Sequence, residues 1–461
     1  VFMGTPRFAV LSLAAQEPKR PLKHSDFDAW RSIATPIVSR DGHWLAYSFM
    51  SQDADGDLVV RELATGREQR VSVGTLPPPA VTPTDENANP EAPPPVRNIR
   101  IAFTSDSRFV VASTFPPKAE VLAARKAKKD APKGGLVLLA LATGDVTRIA
   151  DVKNFQMPAK GGSWVAYLME AKPEAKKPEP AATEENKLGD EDGISTEDQT
   201  AGARRPAASG SAAAKEYGTD LVVRDLAAGT DRMLANALDY SFARDAKTLL
   251  FTVSAKAETE NGVFAVTPGD AAAPVALLAG KGKYSRLAWD REQTQAAFVS
   301  DRDDAGAKTP RFKIYLWPRG AAAATAAVAT DTPGFPSALA VSDKAALVFS
   351  RDGKKFYAPA ATPPKPPRAP DTLPADEDKV SADLWRWNDD YVQPMQKVRA
   401  AQERARTFRG VLDLASHHYT QLADATLPQV SLSDDGLRVI GQDDRAYRPL
   451  GDYDARYADV Y

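Results

Sequence analysis

The chain has 461 residues, a formal net charge of −2 and no cysteine. Such a length holds a large core or several domains. The near-neutral balance gives nucleic acid or an anionic membrane nothing to attract it, and the missing thiols exclude a disulfide framework, thiol catalysis and thiolate metal sites. The 36 prolines and a hydrophobic fraction of 43% fit a folded core broken by polar, proline-rich insertions. No apolar run reaches the length needed to cross a bilayer.

In chain order, residues 1–23 read as a leader. Phe8 to Ala15 (FAVLSLAA), followed by Gln16, has the composition of the end of a secretory signal peptide. Ser25–Ile33 (SDFDAWRSI) opens with an N-cap residue and carries Phe27 and Trp30 at helical spacing, so it predicts a short helix. From there repetition dominates. DLVVRELATG at Asp57–Gly66, GLVLLALATG at Gly135–Gly144 and DLVVRDLAAG at Asp220–Gly229 are near copies. Each is followed by a second short strand (REQRVSV, DVTRIAD, TDRMLAN), which makes a hairpin closed by glycine.

A second motif alternates with the first. It reads ATPIVSRDGHWLAYSF at Ala34–Phe49, RIAFTSDSRFVVAST at Arg100–Thr114, YSFARDAKTLLFTVS at Tyr240–Ser254 and SRLAWDREQTQAAFVS at Ser285–Ser300. SALAVSDKAALVFS at Ser337–Ser350 and PQVSLSDDGLRVIG at Pro428–Gly441 continue it, and GGSWVAYLM at Gly161–Met169 is a degenerate copy. Each is strand, Ser/Asp turn, strand. The combined unit of four short antiparallel strands predicts an all-β fold, a β-propeller of about seven blades spanning 24–461, with the last blade incomplete. Three segments interrupt it: Thr75–Val96, Lys172–Glu216 and Pro359–Lys379. Their Pro/Ala-rich, apolar-poor composition predicts disordered loops. Gln393–Arg406 has helical composition inside a strand-rich repeat, and its state stays open.

No catalytic constellation stands out. Gly161-Gly162-Ser163-Trp164-Val165 lacks the second glycine of a nucleophile elbow and reads as a blade strand. Neither Gly280-Lys281 nor Gly353-Lys354 ends a P-loop. His24, His43, His417 and His418 show no HExxH spacing, so neither metal nor cofactor is expected. The cluster Arg125, Lys126, Lys128 and Lys129 lacks interleaved aromatics and reads as a solvated loop, with no nucleic-acid or membrane partner. Asp41, Asp106, Asp245, Asp343 and Asp435 recur with the turns and should cap them. Arg445, Tyr447 and Arg448 lie outside the strand pattern and are the candidate substrate-facing residues, with blade-edge packing as the alternative.

The order SDFDAWRSI, SRDGHWLAYSF, DGDLVVRELATG, and later LWRWNDDYVQPMQKVRA and SDDGLRVIGQDDRAYRPL, resembles the N-terminal propeller of large bacterial members of the prolyl oligopeptidase family of serine peptidases. The first 13 residues, VFMGTPRFAVLSL, also resemble the start of methionyl-tRNA formyltransferases, whose later motifs are not found. The peptidase resemblance implies a propeller that gates peptide access to a C-terminal α/β-hydrolase domain of the same polypeptide, and a periplasmic or secreted location. Residues 1–461 hold no such domain, so the chain is expected to be a fragment, inactive alone, with no catalytic residue to carry over. The alternative is a free-standing TolB-like propeller serving as a protein-interaction platform.

Overall fold

The computed structural model describes residue 23 and residues 30–51, 54–77, 99–172, 215–363, 384–387, 389–452 and 454–461. They form six antiparallel sheets that follow one another along the chain. The first contains Arg31–Val38, Trp44–Ser51, Gly56–Glu62 and Glu68–Gly74. The second contains Ile101–Phe103, Phe109–Thr114, Gly135–Ala140 and Val146–Ala150. The third has seven strands: Val152–Gln156, Trp164–Met169, Thr219–Asp225, Thr230–Phe242, Leu249–Val253, Gly262–Val266 and Val275–Ala279. Tyr284–Trp289, Gln295–Ser300, Lys313–Pro318 and Thr325–Val328 make the fourth. The fifth joins Ala340–Val341 and Val348–Phe349 to Lys355–Ala361, Phe408–Asp413 and His418–Gln421. Gln429–Leu432, Val439–Asp443 and Asp459–Val460 form the sixth.

Period-2 alternation divides single strands between two cores. In the second sheet Val137 and Leu139 join the core shared with the first sheet, while Leu136 and Leu138 join the one shared with the third. In the fourth, Ala296 and Phe298 meet the third sheet, and Ala297 and Val299 meet the fifth. This is why strands such as LVLL are apolar at every position: both faces are covered.

The seven-stranded sheet is folded on itself. Leu221 and Val223 from one half share a core with Leu249 and Phe251 from the other. The bend falls within Thr230–Phe242, where Asn236 takes a φ of 57° and the pairing shifts register between Ala237 and Asp239. The strands Trp164–Met169 and Thr219–Asp225 pair across the long insertion, as their sequences suggest.

The Ser/Asp turns share one chemistry. Asp41 Oδ1 accepts the His43 N–H at 3.0 Å, and Ser39 Oγ accepts the Trp44 N–H at 2.9 Å. Asp106, Asp245 and Asp435 likewise accept the N–H two residues on. Asp343 does not. The fifth sheet makes its turn at Ser350–Gly353 instead, where Asp352 accepts the Lys354 N–H at 3.1 Å and Ser350 the Lys355 N–H at 2.9 Å.

Other expectations are also corrected. The helix proposed over Ser25–Ile33 gives way to strand at Arg31, where Arg31–Ile33 pair with Phe49–Ser51; residues 25–29 lie outside the described residues. Pro359–Ala361 belongs to a strand, and Ala358, Pro359 and Ala360 pair with Gly410, Arg409 and Phe408; residues 364–379 lie outside the described residues. The proline has no N–H to give the sheet; it lies where the neighbouring edge strand is interrupted between Val341 and Val348, and its carbonyl accepts the Ser342 N–H at 3.0 Å. Most of Thr75–Val96 and Lys172–Glu216 lies outside the described residues.

Candidate functional site

The Ser/Asp turns lie beside one another from sheet to sheet. The Asp41 N–H reaches Ser107 Oγ at 3.3 Å, and Ser163 Oγ donates to Asp106 Oδ2 at 2.5 Å. The Lys160 N–H meets the Arg244 carbonyl at 2.6 Å, and the Arg244 N–H meets Gln293 Oε1 at 2.6 Å. Gln295 Nε2 donates to the Gly353 carbonyl at 2.8 Å, and the Arg351 N–H to the Asp435 carbonyl at 3.3 Å. One end of the array is therefore closed by tight, mutually bonded turns. Ser163 is spent in this network: it is 4% exposed, and its hydroxyl is committed to Asp106.

In an antiparallel sheet the connections after second strands emerge at the opposite end. There the chain places every helical element of the described residues. Helix α1 spans Lys118–Lys126 and helix α2 Gln393–Arg404, with 3-10 turns at Glu258–Glu260, Arg302–Asp304 and Arg445–Asp452. Each lies between the second and third strand of its repeat. Repeat proteins often carry their binding surface on the end that holds the insertions.

The three candidate residues sit on the last of these turns. Arg448 donates from Nη1 to Asp390 Oδ2 at 2.6 Å and from Nε to Asp444 Oδ1 at 3.0 Å. Its guanidinium stands 5.3 Å from the Tyr391 ring centroid, and that of Arg399 lies 4.4 Å from the same ring. Arg445 grips Asp443 through Nε at 2.8 Å and Nη2 at 2.6 Å, which holds the Asp443 carboxyl down at about 2. The Tyr447 hydroxyl donates to Asp459 Oδ1 at 2.9 Å. The two segments outside the repeat thus meet through Arg448. Asp390, Tyr391 and Arg399, which sequence reasoning did not single out, complete the cluster.

All three candidates are engaged by carboxylates of this chain, so the cluster first of all fixes the fold of this end. The turn preceding α2 is held by Asp389, which accepts the Arg386 N–H at 2.9 Å and Gln396 Nε2 at 2.9 Å. Trp385 and Trp387 project from it, 63% and 98% exposed.

Asp343 does different work from the turn aspartates. Its side chain is 7% exposed and pairs at 2.6 Å with Nζ of Lys283, the residue just before the fourth sheet's first strand. Burial alone would raise its carboxyl pKa; the Lys283 ammonium, with Lys344 at 3.6 Å, more than reverses this and leaves it below the ordinary value. Arg286, at a φ of 62°, donates from Nε to the Asp343 carbonyl at 2.7 Å. Lys283→Met should cost about 2 kcal/mol, because it strips the principal cation from a buried carboxylate, discounted for the exposure of the lysine. A lowered folded-state pKa contributes stability above the unfolded value of about 3.9 and loses it as the pH falls through the folded one. Urea titrations should therefore show the wild-type advantage at pH 7 shrinking progressively as the pH falls below about 3.9; an advantage that does not shrink with acid would contradict the pairing.

The basic cluster also differs from expectation: Arg125 and Lys126 form the last turn of α1 rather than a loop. Among the described residues, no group of three or more His, Asp or Glu side chains is placed to hold a metal ion. No helix of these residues is long and apolar enough to cross a membrane.

No family model and no curated protein matches the chain. Among solved structures, a eukaryotic initiation factor is 9% identical at a TM-score of 0.41, covering 89% of this chain and 70% of that one. A Pyrococcus horikoshii acylaminoacyl peptidase is 8% identical at a TM-score of 0.30, with 94% of this chain and 51% of the peptidase covered. Prolyl oligopeptidase B from Galerina marginata is 10% identical at a TM-score of 0.34, with 89% and 46% covered. The chain spans about half the length of each peptidase, and overlays of this quality carry no argument about its activity.

Proposed function

We propose that the chain is the non-catalytic propeller part of a prolyl oligopeptidase-family serine peptidase, exported to the periplasm or beyond. Its role is to gate peptide access to an α/β-hydrolase domain of the same polypeptide. The observation that carries the reading is the segregation of the two ends. Tight Ser/Asp turns close one end, and the irregular elements gather at the other, where a second domain and a peptide would be received. The division of strands between two cores supports a radial stack of about seven blades, since each covers the next on both faces. The motifs that resemble the peptidase family, LWRWNDDYVQPMQKVRA and DDRAYRPL, supply the Asp390–Arg448 contact at the elaborated end.

A second reading, a free-standing TolB-like propeller acting as an interaction platform, is favoured by the exposure of Trp385 and Trp387, since tryptophan is enriched among interface anchors. The gene beyond codon 461 separates the two. A coding region with G-x-S-x-G supports gating, and a stop codon overturns it in favour of the platform. The purified chain should not be labelled by a fluorophosphonate serine-hydrolase probe, whereas a longer product of the gene should be labelled at a serine beyond 461. Stoichiometric labelling of any serine within 1–461 would overturn both readings.

A further inference from the structure

We propose that helix α1 and the turn after it form a docking site for an acidic polypeptide segment, independently of the gating reading. Between Lys118 and Lys133 the chain carries six cationic residues against Glu120 and Asp130. Arg125, Lys126, Lys128 and Lys129 are all exposed, and among the described residues none makes an ion pair. No residue of α1 is fully buried; Lys118, Val121 and Ala124 are half-buried, and none joins the core cluster beneath the first two sheets.

It is nevertheless fixed in place. The Lys118 N–H is bonded to Asp55 Oδ1 at 2.8 Å, and the preceding Phe115 N–H to the Val73 carbonyl at 2.8 Å, which ties the start of α1 to the first sheet. Its far end is closed by the Ala127 N–H to the Ala123 carbonyl at 2.9 Å and the Lys129 N–H to the Ala124 carbonyl at 3.0 Å.

A bland account covers part of the charge. Cations in the last turn of a helix complement its dipole, which suits Arg125 and Lys126. It does not extend to Lys128 and Lys129, which lie beyond that turn. Lys128 also takes a φ of 51° at a helix end where glycine or asparagine is favoured. Four unpaired cations in five positions repel one another, and one occupies a backbone conformation unsuited to it. Local rules broken together without a structural gain point to a binding role.

The chemistry selects the partner. Residues 119–134 contain no aromatic side chain on which a base could stack, which disfavours a single-stranded nucleic acid. Val121 and Leu122 are the only large apolar residues of α1, too narrow a face to enter a bilayer. Carboxylates on an extended acidic segment need only the row of ammonium and guanidinium groups.

The test uses the full 461-residue chain and a fluorescein-labelled 12-residue peptide of alternating Glu and Gly. Anisotropy should show saturable binding at 50 mM NaCl that weakens about tenfold at 300 mM, because exposed charges are screened beyond a Debye length of about 10 Å at 0.1 M salt. Joint Arg125→Glu, Lys126→Glu, Lys128→Glu and Lys129→Glu should abolish binding with only a small fall in melting temperature, since no residue of the helix is fully buried and the cost is confined to the lost dipole complement of its last turn. If that variant misfolds, the same four positions changed to Gln should still weaken binding at least tenfold, while Lys-to-Arg exchanges retain it. The proposal is overturned by absent binding at 50 mM NaCl, or by binding that survives both substitutions. Tighter binding of a 20-nucleotide single strand or of phosphatidylserine vesicles overturns it as well. So does binding that appears only after the acidic residues 184–198 are replaced by Gly/Ser, which would make this chain's own tract the occupant.

Discussion

Phe298→Ala is expected to lower unfolding free energy by about 4 kcal/mol, among the largest losses available to a single core truncation. Phe298 is fully buried and stacks on Tyr315 with ring centroids 5.6 Å apart and planes inclined by 13°. Around it lie Leu250 and Val263 from the third sheet and Trp317 from its own. Removing the ring leaves a cavity between two sheets that strand pairing cannot collapse. Its sequence neighbours Ala297 and Val299 face the opposite core with Phe356 and Leu412, so the fourth sheet cannot shift toward the gap without opening the next one. Met233→Ala, at a side chain 66% exposed, is the control and should change stability by about 0.5 kcal/mol or less. Urea midpoints measure both. A Phe298→Ala loss below about 1 kcal/mol would mean that the third and fourth sheets do not stack.

The strands were legible because their pattern is local. Asp57–Gly66, Gly135–Gly144 and Asp220–Gly229 announce hairpins through β-branched runs closed by glycine, and the structure pairs each with the strand that follows. Where the sequence misled, longer-range contacts decided. Ser350-Arg351-Asp352-Gly353 repeats Ser39-Arg40-Asp41-Gly42 letter for letter, and that identity could have located the fifth-sheet turn. The nearby Ser342-Asp343 imitated it, although Asp343 is committed to Lys283, 60 residues earlier. The strand Arg31–Val38 begins where a helix was expected because pairing with Trp44–Ser51 outweighs a weak local helical pattern. Nothing local could show that Thr230–Phe242 runs through two successive repeats as one strand.

The candidate site was half legible. Arg445, Tyr447 and Arg448 attract notice as aromatic and charged residues off the repeat, and the structure gathers them on one turn. Their partners could not be read, because Asp390 and Tyr391 reach Arg448 across 58 and 57 residues of chain. Charge in the sequence shows that a cation is present; only the fold shows whether it is already neutralised. By that criterion Arg448 is occupied and Lys128 is not.

Gly218→Ala should destabilise the chain by about 3 kcal/mol, at the upper end of overpacking costs, because the added methyl has no space at the bend of the seven-stranded sheet. Its Cβ would fall 2.0 Å from the Asn236 carbonyl oxygen and 2.2 Å from the carbonyl carbon, backbone atoms that cannot rotate away. The same carbonyl accepts the Ser254 N–H at 3.0 Å, while the Gly218 N–H donates to the Ser254 carbonyl at 2.8 Å. Displacing Asn236 therefore strains the bonds that hold the two halves of the sheet together. Gly229→Ala separates this clash from the general cost of replacing glycine. Gly229 has a φ of 68° but nothing within 4 Å of an added Cβ, so only backbone strain of about 1 kcal/mol remains. Hydrogen exchange should show the difference in place as well as in size. In Gly218→Ala, amides of Leu249–Val253 and Thr219–Asp225 should lose protection together, whereas Gly229→Ala should affect only its own hairpin. Equal losses in the two variants would show that the halves are not pinned at Gly218.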